Sequence, residues 1–277
     1  MENNETNPIG KGLYLCCFFK GTTGPCSEIG IDGINSTFTM RYQDIGALIS
    51  PVPLNEFGNQ VINRNVNDLK WLTPKVRRHE EITRQVMEKF PVIPVKFGTI
   101  YTEPKKILNV MKNSYTEFTS YFDFVYDKEE WGVKVFVHKK KYLKKAENAL
   151  DSNGVMNPQN GATTPGKNYF LRKKMEASIQ QEIDVVMGKL SQKFHQTLSP
   201  IAAQSKKNKL LSNDATGIIE DMILNSAYLV EKSKVVHFKN IIRSLADEYE
   251  PEIISFRISG PWPPYNFCPE KKIFEEE

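Results

Sequence analysis

The stretch LYLCCFF, from Leu13 to Phe19, decides the fold class of this 277-residue chain. Its apolar residues fill both alternating sets of positions: Leu13, Leu15, Cys17 and Phe19 in one set, and Tyr14, Cys16 and Phe18 in the other. Successive side chains of a strand point to opposite faces, so both faces of this strand need a cover. The stretch therefore predicts a central strand in a layered fold of helices and sheet.

Further strands are predicted in the first half of the chain. Residues 37–42 and 45–50 follow a glycine-rich turn and are rich in apolar and β-branched side chains. Residues 92–101 have a similar composition but contain Pro94, which cannot donate a ladder hydrogen bond. They predict an edge strand or a bulged strand.

Two helices are predicted beside these strands. The first begins either at the N-cap pair Thr73 and Pro74 or earlier, at Asp68. Its apolar stripe recurs at three- and four-residue spacing and comprises Val76, His79, Ile82, Val86 and Phe90. The second helix follows Pro104, and its stripe comprises Ile107, Met111, Tyr115, Phe118 and Phe122.

The second half of the chain has a more regular order of elements. The predicted elements are a strand at 131–138, a loop at 151–167, a helix at 171–194, strands at about 197–204 and 222–230, a helix after Ser233 and a strand at 254–258. The order β-α-β-β-α-β is that of a ferredoxin-like fold. The prediction is an α+β protein with two ferredoxin-like, or modified ferredoxin-like, α/β sandwich domains at 1–125 and 126–277. A proline- and aromatic-rich tail starts at about residue 261.

The tail opens with the octet GPWPPYNF, from Gly260 to Phe267. Each proline fixes φ and removes a backbone donor, so the preceding strand is expected to end at Gly260. The chain then forms a stiff aromatic ridge, which either anchors a partner or clamps the tail onto the protein itself. The candidate partner-binding residues are Pro261, Trp262, Pro263, Pro264, Tyr265 and Phe267.

Composition excludes several classes of protein. The mean hydropathy of −0.44 and the 25% of charged residues indicate a polar surface. The longest apolar stretch, 13–19, is far below the roughly 20 residues that span a bilayer, and residues 1–8 do not form a secretion signal. A cytoplasmic protein without membrane contact is expected. The net charge of +4 is too small to indicate nucleic acid binding.

The basic and cysteine-containing segments carry no specific signal. KKKYLKK, at 139–145, is interpreted as a solvated strand end or loop. Cysteines at 16, 17, 26 and 268 lack metal-ligand spacing, and reduced thiols are expected. A disulfide between Cys26 and Cys268 is left open.

No catalytic, cofactor-binding or metal-binding motif is found. His79 and Glu80 begin like an HExxH zinc motif, but Thr83 occupies the position of the second histidine. Since His79 lies on the apolar stripe of its helix, a hydrogen-bonded core histidine is the prediction. The aromatic residues Trp71, Phe97 and Trp131 are also expected in the core. The sequence thus predicts a protein that is not an enzyme.

Several motifs resemble landmarks of the gas vesicle protein GvpL/GvpF family. The octet GPWPPYNF is similar to that family's C-terminal motif. In reverse order along the chain, the other landmarks are LNSAYLV at 224–230, EEWGVKV at 129–135, PVKFGTI at 94–100 and the WL…HE pair of Trp71, Leu72, His79 and Glu80. Lys96 stands where an arginine is common, and Ser226 where an alanine is common. The resemblance spans nearly the whole chain.

The resemblance implies a non-enzymatic assembly factor for gas vesicles. Its expected partners are the small, very apolar shell protein of the vesicle wall and other gas vesicle accessory proteins. The alternative from another class is an RNA-binding ferredoxin-like module, because such sheets can stack bases on exposed aromatics. The segments VKFGTIY at 95–101 and WGVKVFVH at 131–138 invite this comparison, yet neither matches the RNA-binding sequence pattern.

Overall fold

The computed structural model describes residues 10–25, 29–142, 144–145 and 183–268. The chain divides into two compact units, one formed by Met1–Glu129 with Pro261–Glu277 and the other by Glu130–Gly260. This division places residues 261–268 in the first unit, whereas the tail was predicted to belong to the second domain. The predicted loop at 151–167 and the predicted start of the following helix lie outside the described residues.

The first unit contains an antiparallel sheet built around one central strand. Its strands are β1 (Lys11–Lys20), β2 (Phe38–Tyr42), β3 (Ile45–Pro53), β4 (Val92–Pro94) and β5 (Ile100–Tyr101). The order is β2-β3-β1-β4, and β5 also pairs with β1. The prediction of a central strand at 13–19 is confirmed. The segment at 92–101 forms the two short strands β4 and β5 instead of one continuous strand.

A β-bulge at Cys16 changes which side chains of β1 share a face. Leu15 pairs with Ile49 and Cys17 pairs with Leu48, so Cys16 is the extra residue. The predicted alternation across β1 is therefore wrong beyond Leu15, because a bulge shifts the following side chains by one position. Cys17 lies in the same hydrophobic cluster as Cys16, although strict alternation would separate them.

The helices of the first unit cover both faces of this sheet. They are α1 (Leu54–Phe57), α2 (Asn59–Asn65), α3 (Leu69–Met87), α4 (Pro104–Asn113) and α5 (Tyr115–Val125). On one face, Ile82 and Val86 of α3 pack in a cluster with Tyr14 of β1. On the other face, the rings of Phe18 and Phe118 lie 4.9 Å apart.

Helix α3 begins at the earlier of its two predicted positions, and the helix predicted after Pro104 is divided in two. The side chain of Asp68 accepts hydrogen bonds from the backbone N–H groups of Lys70 and Trp71, so α3 begins early and Pro74 lies within it. The single helix expected after Pro104 is divided at Ser114, whose backbone leaves the helical conformation (φ −102°, ψ 13°).

The second unit contains a four-stranded sheet. Its elements are β6 (Lys128–Val137), α6 (helical at 139–142 and 144–145), α7 (described over 183–198), β7 (Gln204–Lys207), α8 (Asn213–Thr216), β8 (Asp221–Glu231), α9 (Val235–Asp247) and β9 (Ile254–Trp262). The strand order is β7-β8-β6-β9. The core between sheet and helices includes Phe194 of α7, Tyr228 of β8 and Phe238 of α9, each fully buried. The chain passes between the two units within β6 and within β9.

Two predictions for this unit are wrong. Residues 197–198 still belong to α7, and a 3-10 turn at Ser199–Ile201 precedes the short strand β7. Leu198 extends the buried stripe of Phe194 by one helical turn, which favours helix over strand there. The described part of the basic run, residues 139–142 and 144–145, is helical rather than a loop or strand end. Three of its lysines form ion pairs within the unit: Lys139 with Asp184, Lys141 with Glu252 and Lys145 with Glu250.

Strand β9 continues past Gly260 to Trp262, contrary to the expectation that the prolines end it. Among the described strands, β9 lies at the end of the sheet order and pairs with β6 alone. A proline is compatible with such a strand because its missing N–H can point away from the ladder. The chain leaves the sheet at Pro263.

Candidate functional site: the C-terminal strap

Residues 263–268, which follow β9, form a compact segment that we call the C-terminal strap. The backbone N–H of Tyr265 donates to the carbonyl oxygen of Pro263 (2.7 Å), and that of Phe267 donates to the carbonyl oxygen of Pro264 (3.1 Å). Tyr265–Phe267 is a 3-10 turn. Because the two prolines restrict the free chain and the turn closes its own hydrogen bonds, the strap is a preorganised unit.

The strap packs into the first unit. Pro263, Pro264 and Phe267 are buried. The hydroxyl of Tyr121 on α5 donates to the carbonyl oxygen of Pro264 (3.3 Å), and the thiol of Cys268 lies 3.5 Å from the carbonyl oxygen of Pro94. Pro94 ends β4, which lies at the end of the sheet order in this unit. The same thiol lies 3.3 Å from the carbonyl oxygen of Pro264, so it has one acceptor on an outer strand and one within the strap.

Tyr265 brings the strap to a buried histidine of α3. The Tyr265 hydroxyl lies 3.1 Å from Nε2 of His79, and the same nitrogen lies 3.1 Å from the carbonyl oxygen of Val95. A carbonyl oxygen can only accept, so the neutral imidazole carries its proton on Nε2. The prediction that His79 is a hydrogen-bonded core residue is confirmed, since its side chain is buried.

The other imidazole nitrogen extends the network to the central strand. The hydroxyl of Tyr14 donates to Nδ1 of His79 (3.0 Å), and the backbone N–H of Gly98 donates to the Tyr14 oxygen (3.1 Å). We call His79, Val95, Pro94 and Tyr121 the strap site. Val95 and Gly98 belong to the segment between β4 and β5. Hydrogen bonds to His79 and to its partner Tyr14 therefore hold both this segment and the strap.

The charge state of the network follows from its burial. Burial lowers the pKa of His79 to about 4, although the hydrogen bond to Val95 opposes this shift. Burial raises the pKa of both Tyr14 and Tyr265. Burial also raises the pKa of the Glu80 carboxyl, while the hydrogen bond from Tyr265 acts in the opposite direction. At neutral pH the imidazole is neutral and both phenols are protonated.

The structure separates the predicted partner-binding residues into two groups. Trp262, at the end of β9, keeps 39% of its surface exposed, and Pro261 beside it is half-buried. Pro263, Pro264 and Phe267 are buried, and Tyr265 is half-buried with its hydroxyl in the network. These residues therefore do not form one exposed ridge.

Sequence reasoning did not identify the residues that receive the strap. Tyr14, Tyr121 and Val95 have no periodicity or motif of their own that indicates this role. The only sequence signal for these residues was that the HE pair, PVKFGTI and GPWPPYNF are separate landmarks of the resemblance described above. His79 and Glu80 come from the first, Val95 from the second and Tyr265 from the third, and the structure brings them together.

Landmark residues of the second unit also contact one another. A methyl group at Gly260 would lie 2.8 Å from the carbonyl oxygen of Glu130 and 3.1 Å from the Trp131 ring, and Gly260 has φ of +130°. The Nζ atom of Lys239 lies 3.8 Å from the centre of the Trp131 ring. In the LNSAYLV motif, the hydroxyl of Tyr228 lies 3.0 Å from Nδ1 of His195.

The burial of several aromatic residues argues against the RNA-binding alternative. Trp131 and Phe136 are buried, and Phe97 is partly buried against the core of the first unit. These rings do not form an exposed platform on which bases could stack. The core prediction is confirmed for Trp131, whereas Trp71 and Phe97 are only partly buried.

Within the described ranges, no group of three or more histidine, cysteine, aspartate or glutamate side chains is arranged to hold a metal ion. In the same part of the chain, no helix has the length and apolarity needed to cross a membrane. Cys16, Cys17 and Cys268 are thiols, and Cys26 lies outside the described residues.

Comparison with known proteins first identifies the fold. The crystal structure of the gas vesicle protein GvpF from Anabaena sp. PCC7120 superposes with a TM-score of 0.68 at 17% identity, covering 94% of this chain and 97% of that one. The crystal structure of GvpF from Microcystis aeruginosa gives a TM-score of 0.63 at 17% identity, covering 92% and 98%. The chain therefore has the fold of these two GvpF structures.

Sequence comparison identifies the family. The sequence profile described as "Gas vesicle synthesis protein GvpL/GvpF" matches residues 12–269, and the chain belongs to this family. Gas vesicle protein L from Streptomyces sp. (strain CB03234) is 22% identical over 230 residues, which are 83% of this chain and 82% of the relative. Gas vesicle protein F1 from Halobacterium salinarum is 19% identical over 241 residues, which are 86% and 84%. Membership supports a role in gas vesicle assembly.

Proposed function

We propose that this protein is a non-enzymatic, cytoplasmic assembly factor that binds the small shell protein of gas vesicles and helps to nucleate the vesicle wall. It acts alone or with other gas vesicle accessory proteins. The observation that carries the proposal is the family match over residues 12–269. It is supported by a large aromatic side chain, Trp262, that remains exposed within the family's C-terminal motif.

We also infer that the second unit is a ferredoxin-like sandwich and the first a modified version of it. The order β6-α7-β7-β8-α9-β9, with the strand order β7-β8-β6-β9, supports the first inference. In the first unit, helices cover both faces of the sheet, which is why its version is a modified one.

The proposed contact surface lies around Trp262. The backbone N–H of His138 donates to the carbonyl oxygen of Ile253, and Gly260 lies against Glu130, so β6 and β9 run antiparallel. We infer from this antiparallel pairing that Trp262 lies near the start of β6, close along the chain to the exposed side chain of Tyr126. Aromatic side chains of this size are the usual anchors of protein interfaces.

The turn that carries Tyr126 is held in place. The Nζ atom of Lys128 donates to the carbonyl oxygens of Phe124 (2.7 Å) and Tyr126 (3.4 Å). Phe124 and Tyr126 keep 37% and 69% of their surface exposed. A rigid surface with several exposed aromatics loses little conformational entropy on binding, which favours a role as an apolar contact.

A chaperone-like contact fits the physical demands of wall assembly. Subunits of a β-rich, apolar wall expose strand edges and apolar faces before they assemble, and these tend to aggregate. Strand β9 is at the end of its sheet among the described strands and is nine residues long. Addition of a shell-protein strand to β9, with Trp262 as the aromatic anchor, would cover both kinds of surface.

Co-purification after co-expression with the small shell protein tests this proposal. The tagged parent, Trp262→Ala and the control Ile34→Ala are compared at equal concentrations of folded protein. Ile34 is 82% exposed and also belongs to the first unit, so its removal controls for loss of an exposed apolar side chain. We expect the parent and Ile34→Ala to retain the shell protein and Trp262→Ala to lose it. Failure of the parent to retain shell protein, with salt-sensitive retention of RNA instead, would replace this function with RNA binding.

A further inference from the structure

The C-terminal strap binds the first unit in the way a peptide ligand binds a protein. Its 3-10 turn is closed by hydrogen bonds within the strap, from Tyr265 to Pro263 and from Phe267 to Pro264. Side-chain groups join it to the strap site: the Tyr265 hydroxyl to His79, and the Tyr121 hydroxyl to the carbonyl oxygen of Pro264. The strap forms no strand of the first sheet.

The position of the strap in the chain separates it from its binding site. The strap site lies in residues 79–121, whereas the chain from Glu130 to Gly260, which only Pro261 and Trp262 separate from the strap, belongs to the second unit. The first unit is therefore completed by a segment that arrives only after 131 residues of the other unit. A segment of this kind can be supplied by any chain that carries the same sequence.

We propose that the strap site can bind the C-terminal strap of a second copy of this chain, so that two molecules exchange residues 263–268. Every contact of the strap with its site is the same within one chain and between two chains. The exchange therefore depends on the effective concentration of the chain's own strap and on the conformation of Pro263, the first residue after β9. The proposal concerns association of the protein with itself and does not depend on binding of the shell protein.

The chemistry of the site specifies this occupant. A ligand must offer a carbonyl oxygen to Tyr121 and a hydroxyl to His79, and it must bury an aromatic ring as Phe267 does. The strap presents these groups within six residues, and its prolines reduce the entropy lost on binding. A second copy of the chain carries this set in the required order.

Peptide binding to the full-length protein tests whether the site accepts a strap from outside. A fluorescent peptide of residues 260–268 is titrated into the parent and into full-length Tyr265→Ala, whose own strap is weakened. We expect the peptide to bind Tyr265→Ala about tenfold more tightly than the parent, since its own strap competes less. A matched peptide with Tyr265→Ala should bind about tenfold more weakly. Circular dichroism establishes that the variant is folded, and Tyr265→Phe replaces it if it is not.

Light scattering of the parent tests whether a second copy is the occupant. After warming and return to assay temperature, size-exclusion chromatography with light scattering is run over a wide range of protein concentration. We expect a dimer whose fraction rises with concentration and falls when excess peptide 260–268 is added. A single-chain mass at every concentration, or a dimer that the peptide does not diminish, would overturn the exchange. Equal peptide affinity for the parent and the folded variant would overturn the peptide-like site.

Discussion

The hydroxyl of Tyr265 lies 3.1 Å from Nε2 of His79, although 186 residues separate the two positions in the chain. The contact joins the C-terminal strap to helix α3 in the first unit. The histidine is in turn bonded to Tyr14 of the central strand and to Val95. One buried imidazole therefore connects the central strand, the segment that follows β4 and the C-terminal strap.

Tyr265→Phe should lower the free energy of unfolding by about 1 kcal/mol, the usual net value of one buried hydrogen bond. The ring remains, while the donor to Glu80 and the contact with His79 are lost. Urea unfolding measures the change. The matched control is Tyr126→Phe, whose side chain is 69% exposed and should change stability by less than about 0.5 kcal/mol. Equal effects of the two substitutions would contradict the role of the hydroxyl.

His79 should make the protein less stable in mild acid. Its pKa is about 4 in the folded state and 6.5 in the unfolded chain, so between these values the unfolded state binds more protons. The stabilising contribution is complete above about pH 6.5 and is lost as the pH falls to about 4, and it amounts to about 3 kcal/mol. Glu80, with its raised pKa, acts in the opposite direction, and both phenols stay neutral in this window.

Comparison of the parent with His79→Gln isolates this histidine. Glutamine keeps a donor and an acceptor but does not titrate. Unfolding free energies measured at several pH values between about 7 and about 4 should fall less steeply for His79→Gln than for the parent. Parallel curves for the two proteins would show that His79 is not the group responsible.

Gly260→Ala should destabilise the protein by about 1 to 3 kcal/mol, because it combines an unfavourable φ with a close contact. The φ of Gly260 is +130°, and an added methyl group would lie 2.8 Å from a backbone carbonyl oxygen. Gly188→Ala is the matched control, since it lies in helix α7 with open space around its Cα. That change should stabilise the protein by about 0.5 to 1 kcal/mol. Thermal melting of both variants checks the opposite signs.

Removal of aromatic side chains should distinguish the exposed part of the C-terminal motif from its buried part. Phe267→Ala should cost about 3 kcal/mol or more, since the ring is 8% exposed. Trp262→Ala should cost less, because 39% of its surface remains in solvent. Urea unfolding of the two variants gives the comparison. A larger loss for Trp262→Ala would indicate that Trp262 acts as part of an intramolecular clamp instead of a partner anchor.

The thiols of β1 should resist alkylation in the folded protein. Cys16 and Cys17 are fully buried, and burial raises the pKa of both, that of Cys16 to about 12. Because the thiolate is the reactive species, neither should be modified by iodoacetamide at mildly alkaline pH until the protein unfolds. Mass spectrometry of digested protein locates the modified residues, and the same protein in denaturant is the positive control. Modification of Cys16 in the native state would contradict its burial.

Local patterns predicted most of the elements that dominate the fold. A strand apolar on both faces is recognisable in any context, and β1 lies at the centre of its sheet as expected. Helix α9 and strand β8 also lie where the apolar spacing indicated. By contrast, the bulge at Cys16 leaves no mark in an unbroken apolar run, so the distribution of its side chains between the two faces was not predictable.

In the candidate site, too, some features could be predicted from local sequence and others depended on the tertiary structure. The octet at 260–267 was recognised as stiff and aromatic from its prolines alone, because proline acts on its own residue and on its immediate neighbours. The extension of β9 to Trp262 depended on its position at the end of the sheet, which is a property of strand order. The strap site depended on His79, Val95, Pro94 and Tyr121, which come from different elements of the first unit.

The sequence by itself determined the family, the central strand and the existence of a rigid aromatic tail, because each depends on residues that are close together in the chain. Only the tertiary structure decided that Phe267 is buried while Trp262 stays exposed, and that the Tyr265 hydroxyl reaches His79. These outcomes depend on which distant surfaces the folded sheets and helices bring into contact. Burial and hydrogen bonding are properties of that packing, and a local sequence pattern does not contain it.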